Sequence, residues 1–242
     1  MVVYTKIDGL IDLEYGLTTP PTSLTLQKSV DVSSNCCSVY QYKGYTYVGQ
    51  ENGAVDRIDE NYEVTKSFIK LDGWISGIAV SNVGIFLLVA ASENLKVYMY
   101  NVEGMKLCTW KPSDISASTL MYNYGSTRDL FNHNQIAMFE NNLLVPDRSN
   151  SKLIVYSSNG KEKNRVSCSI NPDGKVAVCP ASYNSVIISN SSGIRRIDVN
   201  SGAAIWTSTV KKKGLGVCCC RHLYVCAATS AGKIQVLKME TG

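Results

Sequence analysis

A catalytic or metal centre in this 242-residue chain would have to be assembled from two histidines, nine cysteines and 20 acidic residues. His133 and His222 lie far apart, and neither belongs to a His-x-x-x-His or Cys-x-x-Cys pair of the kind that sets two zinc ligands on one element. No Gly-x-Ser-x-Gly elbow holds a nucleophilic serine, and no Gly-x-Gly-x-x-Gly or Gly-x-x-x-x-Gly-Lys loop turns backbone amides toward a phosphate. A calcium site needs about six to eight converging oxygens, whereas Asp and Glu are scattered along the chain without a cluster. The pattern points away from an enzyme, and neither a metal nor a cofactor is expected.

The residue types that remain are those of recognition. Lys211-Lys212-Lys213 is the only charge run, Trp74 follows Asp72-Gly73 in a connection, and the stretch Ile115 to Phe131 carries Tyr122, Tyr124, Arg128 and Phe131. Aromatic rings and arginine supply most interface hot spots, and rim lysines steer association. A solvated connection tolerates the same lysines, so only their gathering on one face of a fold would give them a role.

The elements that would gather them repeat along the chain. From Leu143 to Gly160 an apolar pair ends at Val145, a polar turn runs from Pro146 to Ser151, Lys152 opens an alternating strand to Tyr156, and Ser-Ser-Asn-Gly closes a hairpin. The same order recurs at Tyr47 to Asn61, Leu88 to Gly104, Ile187 to Gly202 and Val225 to Gly242, with anchors at Val48, Val89, Val145, Ile188 and Cys226. Except between the second and third, the anchors lie about 40 residues apart, and each unit reads as four short strands joined by Gly, Asn and Ser turns, the period of a propeller blade. The expected fold is all-β: a β-propeller of four-stranded antiparallel blades with five visible repeats, a sixth staying open. The fifth unit supplies three strands, and the alternating stretch Ser23 to Val32 is expected to pair with Lys233 to Met239 and close the ring. Residues 1 to 21, ending in Pro20-Pro21, read as a leader or linker stub, and residues 22 to 242 as a single propeller domain. The irregular gap between the second and third anchors holds about 15 residues beyond the period, and such insertions map to surface loops.

Composition narrows the setting. A net charge of +4, from 24 Lys+Arg against 20 Asp+Glu, falls short of the strongly basic balance of a dedicated nucleic-acid binder. The start lacks the basic and apolar regions of a secretory signal, and the longest apolar run, Gly84 to Ala91, is far below the roughly 18 residues that span a bilayer, so a soluble protein is expected. Cysteine is odd in number, and Cys36, Cys37, Cys179 and Cys218 to Cys220 fall on stretches read as first strands, where neighbours point to opposite faces. Such thiols suit a reducing compartment as small buried hydrophobes, which gives a cytoplasmic expectation.

Val145-Pro-Asp-Arg-Ser-Asn-Ser-Lys-Leu-Ile-Val-Tyr resembles the signature of NHL-repeat propellers, the C-terminal domains of tripartite-motif ubiquitin ligases: Val-Ala-Asp, a Ser/Asn-rich loop, a basic residue, then Ile-x-Val-Phe. The stretches beginning at Val89 and Cys226 follow it, with Lys96, Lys152 and Lys233 at the basic position, and only Asp147 keeps the family's Asp. The resemblance implies a recognition module: in a ubiquitin-ligase-type protein it would bind a protein, and some NHL propellers bind single-stranded RNA. Some six-bladed propellers are calcium-dependent lactonases or hydrolases, a third reading that a central carboxylate cluster would favour.

In a meander the connections between blades and the turns joining second to third strands open on one face. That face is expected to collect Lys70, Trp74, Lys111, Arg128, Arg148, the insertion with Tyr122, Tyr124 and Phe131, and Lys211, Lys212 and Lys213. The function expected is non-catalytic binding of a partner protein there, with single-stranded RNA as the alternative, for which basic loops beside exposed aromatics are required. Tyr98, Tyr100 and Tyr156 on third strands, and Trp110 and Trp206 on fourth strands, are expected to pack between blades.

Overall fold

Short hairpin turns separate strands of five to eight residues through much of the chain, and the computed structural model folds them into successive antiparallel meanders. It describes residues 2–3, 28–91, 94–112, 136–147, 150–168, 177–181, 184–190, 193–208, 214–220, 224–229 and 234–239. Two short strands, β1 (Val2–Val3) and β2 (Lys28–Ser29), pair with each other. The first blade is β3 (Cys36–Tyr42), β4 (Tyr45–Gln50), β5 (Ala54–Ile58) and β6 (Val64–Lys70). The second is β7 (Trp74–Ser81), β8 (Gly84–Ala91), β9 (Asn94–Tyr100) and β10 (Lys106–Trp110). The third is β11 (Ala137–Phe139), β12 (Asn142–Asp147), β13 (Lys152–Ser157) and β14 (Glu162–Ser167). The fourth is β15 (Ala177–Pro180), β16 (Ser185–Asn190), β17 (Gly193–Asp198) and β18 (Ala204–Ser208). The chain thus forms four blades of four antiparallel strands in a propeller arrangement, each strand paired with its sequence neighbour.

The expectation of five blades and a closed ring is corrected by this topology. The fifth repeat forms a three-stranded sheet of β19 (Gly214–Cys220), β20 (Tyr224–Thr229) and β21 (Ile234–Lys238), and among the described residues β21 has no outer neighbour. The stretch expected to supply that neighbour goes elsewhere: Lys28 and Ser29 pair with Val3 and Val2. Val30 and Val32 then pack on Val48, Ile58 and Val64 of the first blade. The Ser33 amide donates to Asp56 Oδ2 at 2.8 Å, and its hydroxyl to the same carboxylate at 2.9 Å. Alternating hydrophobicity announces a half-buried segment but does not say which apolar face receives it; here the buried Asp56 carboxylate captures Ser33 beside the first blade. Residues 23–27 lie outside the described residues.

The core lies between blades, because each sheet turns one side of its alternating residues to each neighbour. Tyr47 and Val55 of the first blade meet Ile75, Ile85 and Leu87 of the second. Phe86, Leu88 and Val97 of the second meet Leu143, Ile154 and Tyr156 of the third. Leu144, Leu153 and Val155 of the third meet Val186, Ile188 and Ile197 of the fourth, which in turn sets Ile187 and Ile194 against Val217 and Val225 of the fifth sheet. Tyr100 and Tyr156 are buried in these seams, and Trp110 lies between Phe86 and Tyr156, with ring centroids 6.3 and 6.5 Å away. Trp206 joins the seam with the fifth sheet and donates from Nε1 to the Met239 carbonyl at 2.7 Å.

Candidate functional site

The face expected to bind can be followed only in part. The Leu71 amide donates to the Gly53 carbonyl, so the connection between the first two blades and the turn joining β4 to β5 do share one end of the molecule. Lys70 is exposed there and donates from Nζ to the Asn52 carbonyl at 2.5 Å, and Lys111 is exposed just past β10. Trp74 is not a surface anchor: it is 8% exposed and packs in the core with Phe86 and Ala90, because it begins β7 instead of standing in a loop. Tyr122, Tyr124, Arg128, Phe131, Arg148, Lys211, Lys212 and Lys213 lie outside the described residues.

An open cavity stands at the opposite end, where the turns joining first to second and third to fourth strands emerge. It has a volume of about 660 Å³ between the first two blades, and its walls are Tyr42, Lys43, Tyr45, Tyr47, Arg57, Phe68, Asn82, Val102 and Glu103. The hairpin β3–β4 builds one wall. Its two-residue turn, Lys43-Gly44, has positive φ at both positions (46° and 79°), the geometry that matches strand twist, and it sets Tyr42 directly across from Tyr45 and Tyr40 across from Tyr47. On the next strand Arg57 stands opposite Tyr47, and on β6 Phe68 completes the ring.

Arg57 lies among these aromatics. Its guanidinium carbon lies 4.9 Å from the Tyr45 ring centroid and 4.2 Å from that of Phe68, while Tyr47 sits 6.4 and 6.5 Å from the same two rings. Nη1 donates to the Val102 carbonyl at 3.5 Å, and the guanidinium charge lies beside the Tyr47 hydroxyl. Burial raises the Tyr47 hydroxyl above its ordinary range, and the Arg57 charge beside it only partly offsets that, so Tyr47 stays a neutral phenol. Lys43 Nζ lies 5.4 Å from the Tyr42 centroid. Tyr45 and Val102, at the mouth, are 40% and 42% exposed, and Met105 in the same turn as Val102 is also exposed. The sequence signal that marks this wall is four tyrosines at alternate positions around a Lys-Gly turn, Tyr40, Tyr42, Tyr45 and Tyr47.

Cys36, Cys37 and Tyr40 on β3 and Cys108 on β10 are shifted toward their protonated forms. Burial pushes the Cys37 thiol up to about 12, with the Glu51 carboxylate adding to the effect, and burial also raises Cys36 and Cys108. Tyr40 is pushed up to about 12 by burial and by nearby Cys179, against a hydrogen bond with the Met138 backbone, so the inner strands of the first, third and fourth blades meet at this ring. Cys36, Cys37, Cys108, Cys168 and Cys179 are free thiols, and among the described residues no group of His, Cys, Asp and Glu is placed to hold a metal ion.

No family model matches the chain, and no curated protein matches it. Solved structures do. One is a protein of unknown function from Bacteroides caccae, 11% identical, with a TM-score of 0.64 over 90% of this chain and 82% of that one. Another is the WD40 β-propeller domain of Doa1, 7% identical, with a TM-score of 0.59 over 86% of this chain and 67% of that one. The computationally designed protein Ika8 is 11% identical, with a TM-score of 0.51 over 87% of this chain and 74% of its own. At these identities the likeness is one of fold, a β-propeller.

Proposed function

We propose that this propeller is a non-catalytic interaction domain and that the cavity between its first two blades receives a segment of a partner protein. The observation that carries the reading is the cavity's wall: an arginine stacked between Tyr45 and Phe68, beside exposed Tyr45, Val102 and Met105, is the composition of an interface hot spot. Propellers commonly bind partners on the ends of their blades, where turns vary without disturbing the inter-blade core. The resemblance to NHL repeats suggests the recognition module of a ubiquitin-ligase-type protein as its context, in a reducing cytoplasmic setting.

Capture of partners on immobilised protein, with and without ribonuclease, tests the reading. Tyr45→Ala is expected to release the captured protein about tenfold or more, as hot-spot truncations do, while Lys70→Ala and Lys111→Ala at the other end leave it bound. Loss with the lysine variants and retention with Tyr45→Ala would move the site to the opposite face. Release by ribonuclease would make RNA the ligand.

A further inference from the structure

We infer that the cavity, if it is the binding site proposed above, is built for a peptide segment carrying a single carboxylate beside an apolar side chain, and that Arg57 is the residue that reads the carboxylate. Corresponding positions in the other blades set Arg57 apart by the partners it lacks. It faces Tyr47 across the ladder from β4 to β5; the corresponding pairs are Leu88 with Val97, Leu144 with Val155, and Ile187 with Arg196. Two of these positions therefore hold buried valines that seal the seam. The other holds an arginine met by protein acceptors, Ser185 Oγ at 2.9 Å from Nε and the Met239 carbonyl at 3.1 Å from Nη1. Among the described residues, Arg57 has the long contact to Val102 and the two ring contacts, and no carboxylate stands within ion-pair distance of it.

A guanidinium held over two rings and left without an acid is prepared for a planar, bidentate acceptor, which a carboxylate supplies. Charge around the mouth limits how many. Glu103 lines the cavity together with Arg57 and Lys43, Lys106 follows the same turn, and the turn from Asp59 to Glu63 brings Asp59, Glu60 and Glu63 to the same end of the first blade. Those acids repel a polyanion such as RNA, yet leave one carboxylate free to pair with Arg57. Tyr45, Val102 and Met105 then cover the apolar neighbour, and a volume of about 660 Å³ lies within the range of sites that enclose a few side chains.

The probes are acetylated, amidated hexapeptides of Leu, Phe, Ser and Gly with one Asp or Glu, their Asn or Gln isosteres, versions with three adjacent acids, and a ten-nucleotide oligouridylate, titrated by fluorescence polarisation. At least one singly acidic peptide is expected to bind, with its isostere and its triple-acid version each weaker by about tenfold. Arg57→Lys, which keeps the charge but not the fork, should lower affinity for the acidic peptide by about tenfold and leave the isostere unchanged. Glu103→Gln should narrow the gap between single and triple acids. Equal binding of acid and isostere, tighter binding of oligouridylate than of any peptide, or no binding of any probe would each overturn the inference. Those results leave the cavity reading to be judged separately by partner capture with Tyr45→Ala, because they concern the ligand's chemistry and not the place where it binds.

Discussion

Where the second and third blades meet, Leu88 and Val97 form the ladder pair, and Trp110 on the outer strand fills the end of the seam between Phe86 and Tyr156. Where the first and second blades meet, Tyr47 and Arg57 form the pair next to the second-strand anchor, and Phe68 lies on the outer strand. Both seams use one device: a turn glycine with positive φ from the following blade lies against the outer-strand ring, Gly160 on Trp110 and Gly104 on Phe68. A Cβ on Gly160 would come within 2.6 Å of Trp110 Cδ2, whereas on Gly104 it would stand 3.1 Å from Phe68 Cζ. Two meanders of the same strand order thus produce a closed seam and an open one, and Tyr47, Arg57 and Phe68 stand at the open one. A site in a repeat fold need not be a new element; replacing the residues that seal one boundary is enough.

The two seams should therefore respond differently to damage. Trp110→Ala empties the closed seam and should lower stability by about 3 kcal/mol, with Phe68→Ala lowering it by about 1 to 2 kcal/mol because that ring already borders open space. Equal losses in denaturant unfolding would remove the contrast. On the first blade's other side, Asp56 takes the Ser33 and Ser67 amides at 2.8 and 2.7 Å. Burial by itself would raise its pKa, but those hydrogen bonds outweigh burial and hold it below the ordinary carboxylate value. Its stabilisation is then complete above about pH 4, the unfolded value, and is lost as pH falls through the lower folded value. Asp56→Asn should lower stability by about 2 kcal/mol at neutral pH and flatten the acid limb of the melting curve, the two proteins converging in acid. A parallel acid limb in both proteins would show that Asp56 does not carry the effect. Smaller still is the glycine contrast: both substitutions force a side chain into positive φ, but Gly160→Ala should exceed Gly104→Ala by about 1 kcal/mol, since Trp110 is pinned by two rings and Phe68 has room to give.

The blade pattern was legible because a meander of short strands repeats its alternation and its turn residues, so Val48, Val89, Val145 and Ile188 mark second strands as expected. Ring closure was not, since the alternation from Ser23 to Val32 says that one side is apolar and nothing about Asp56, which takes Ser33 some 23 residues away. Trp74 next to Asp72-Gly73 looked like a loop residue, but the β-strand begins at the tryptophan itself. The cavity escaped because its parts are 15 or more residues apart, Tyr42 to Arg57 to Val102, and because a tyrosine ladder reads equally well as core. Only the register that sets Arg57 across from Tyr47, where neighbouring blades set aliphatic pairs, separates the two.

The comparison is tested most directly by giving the open seam the residue of the closed ones. Arg57→Val places at β5 what Val97 and Val155 place in the next two blades. Its melting temperature, measured beside its affinity for the captured partner, should stay level or rise while affinity falls by about tenfold or more. An unchanged affinity in a protein that melts as the wild type does would contradict the account, since the arginine would then be neither a seal nor a reader.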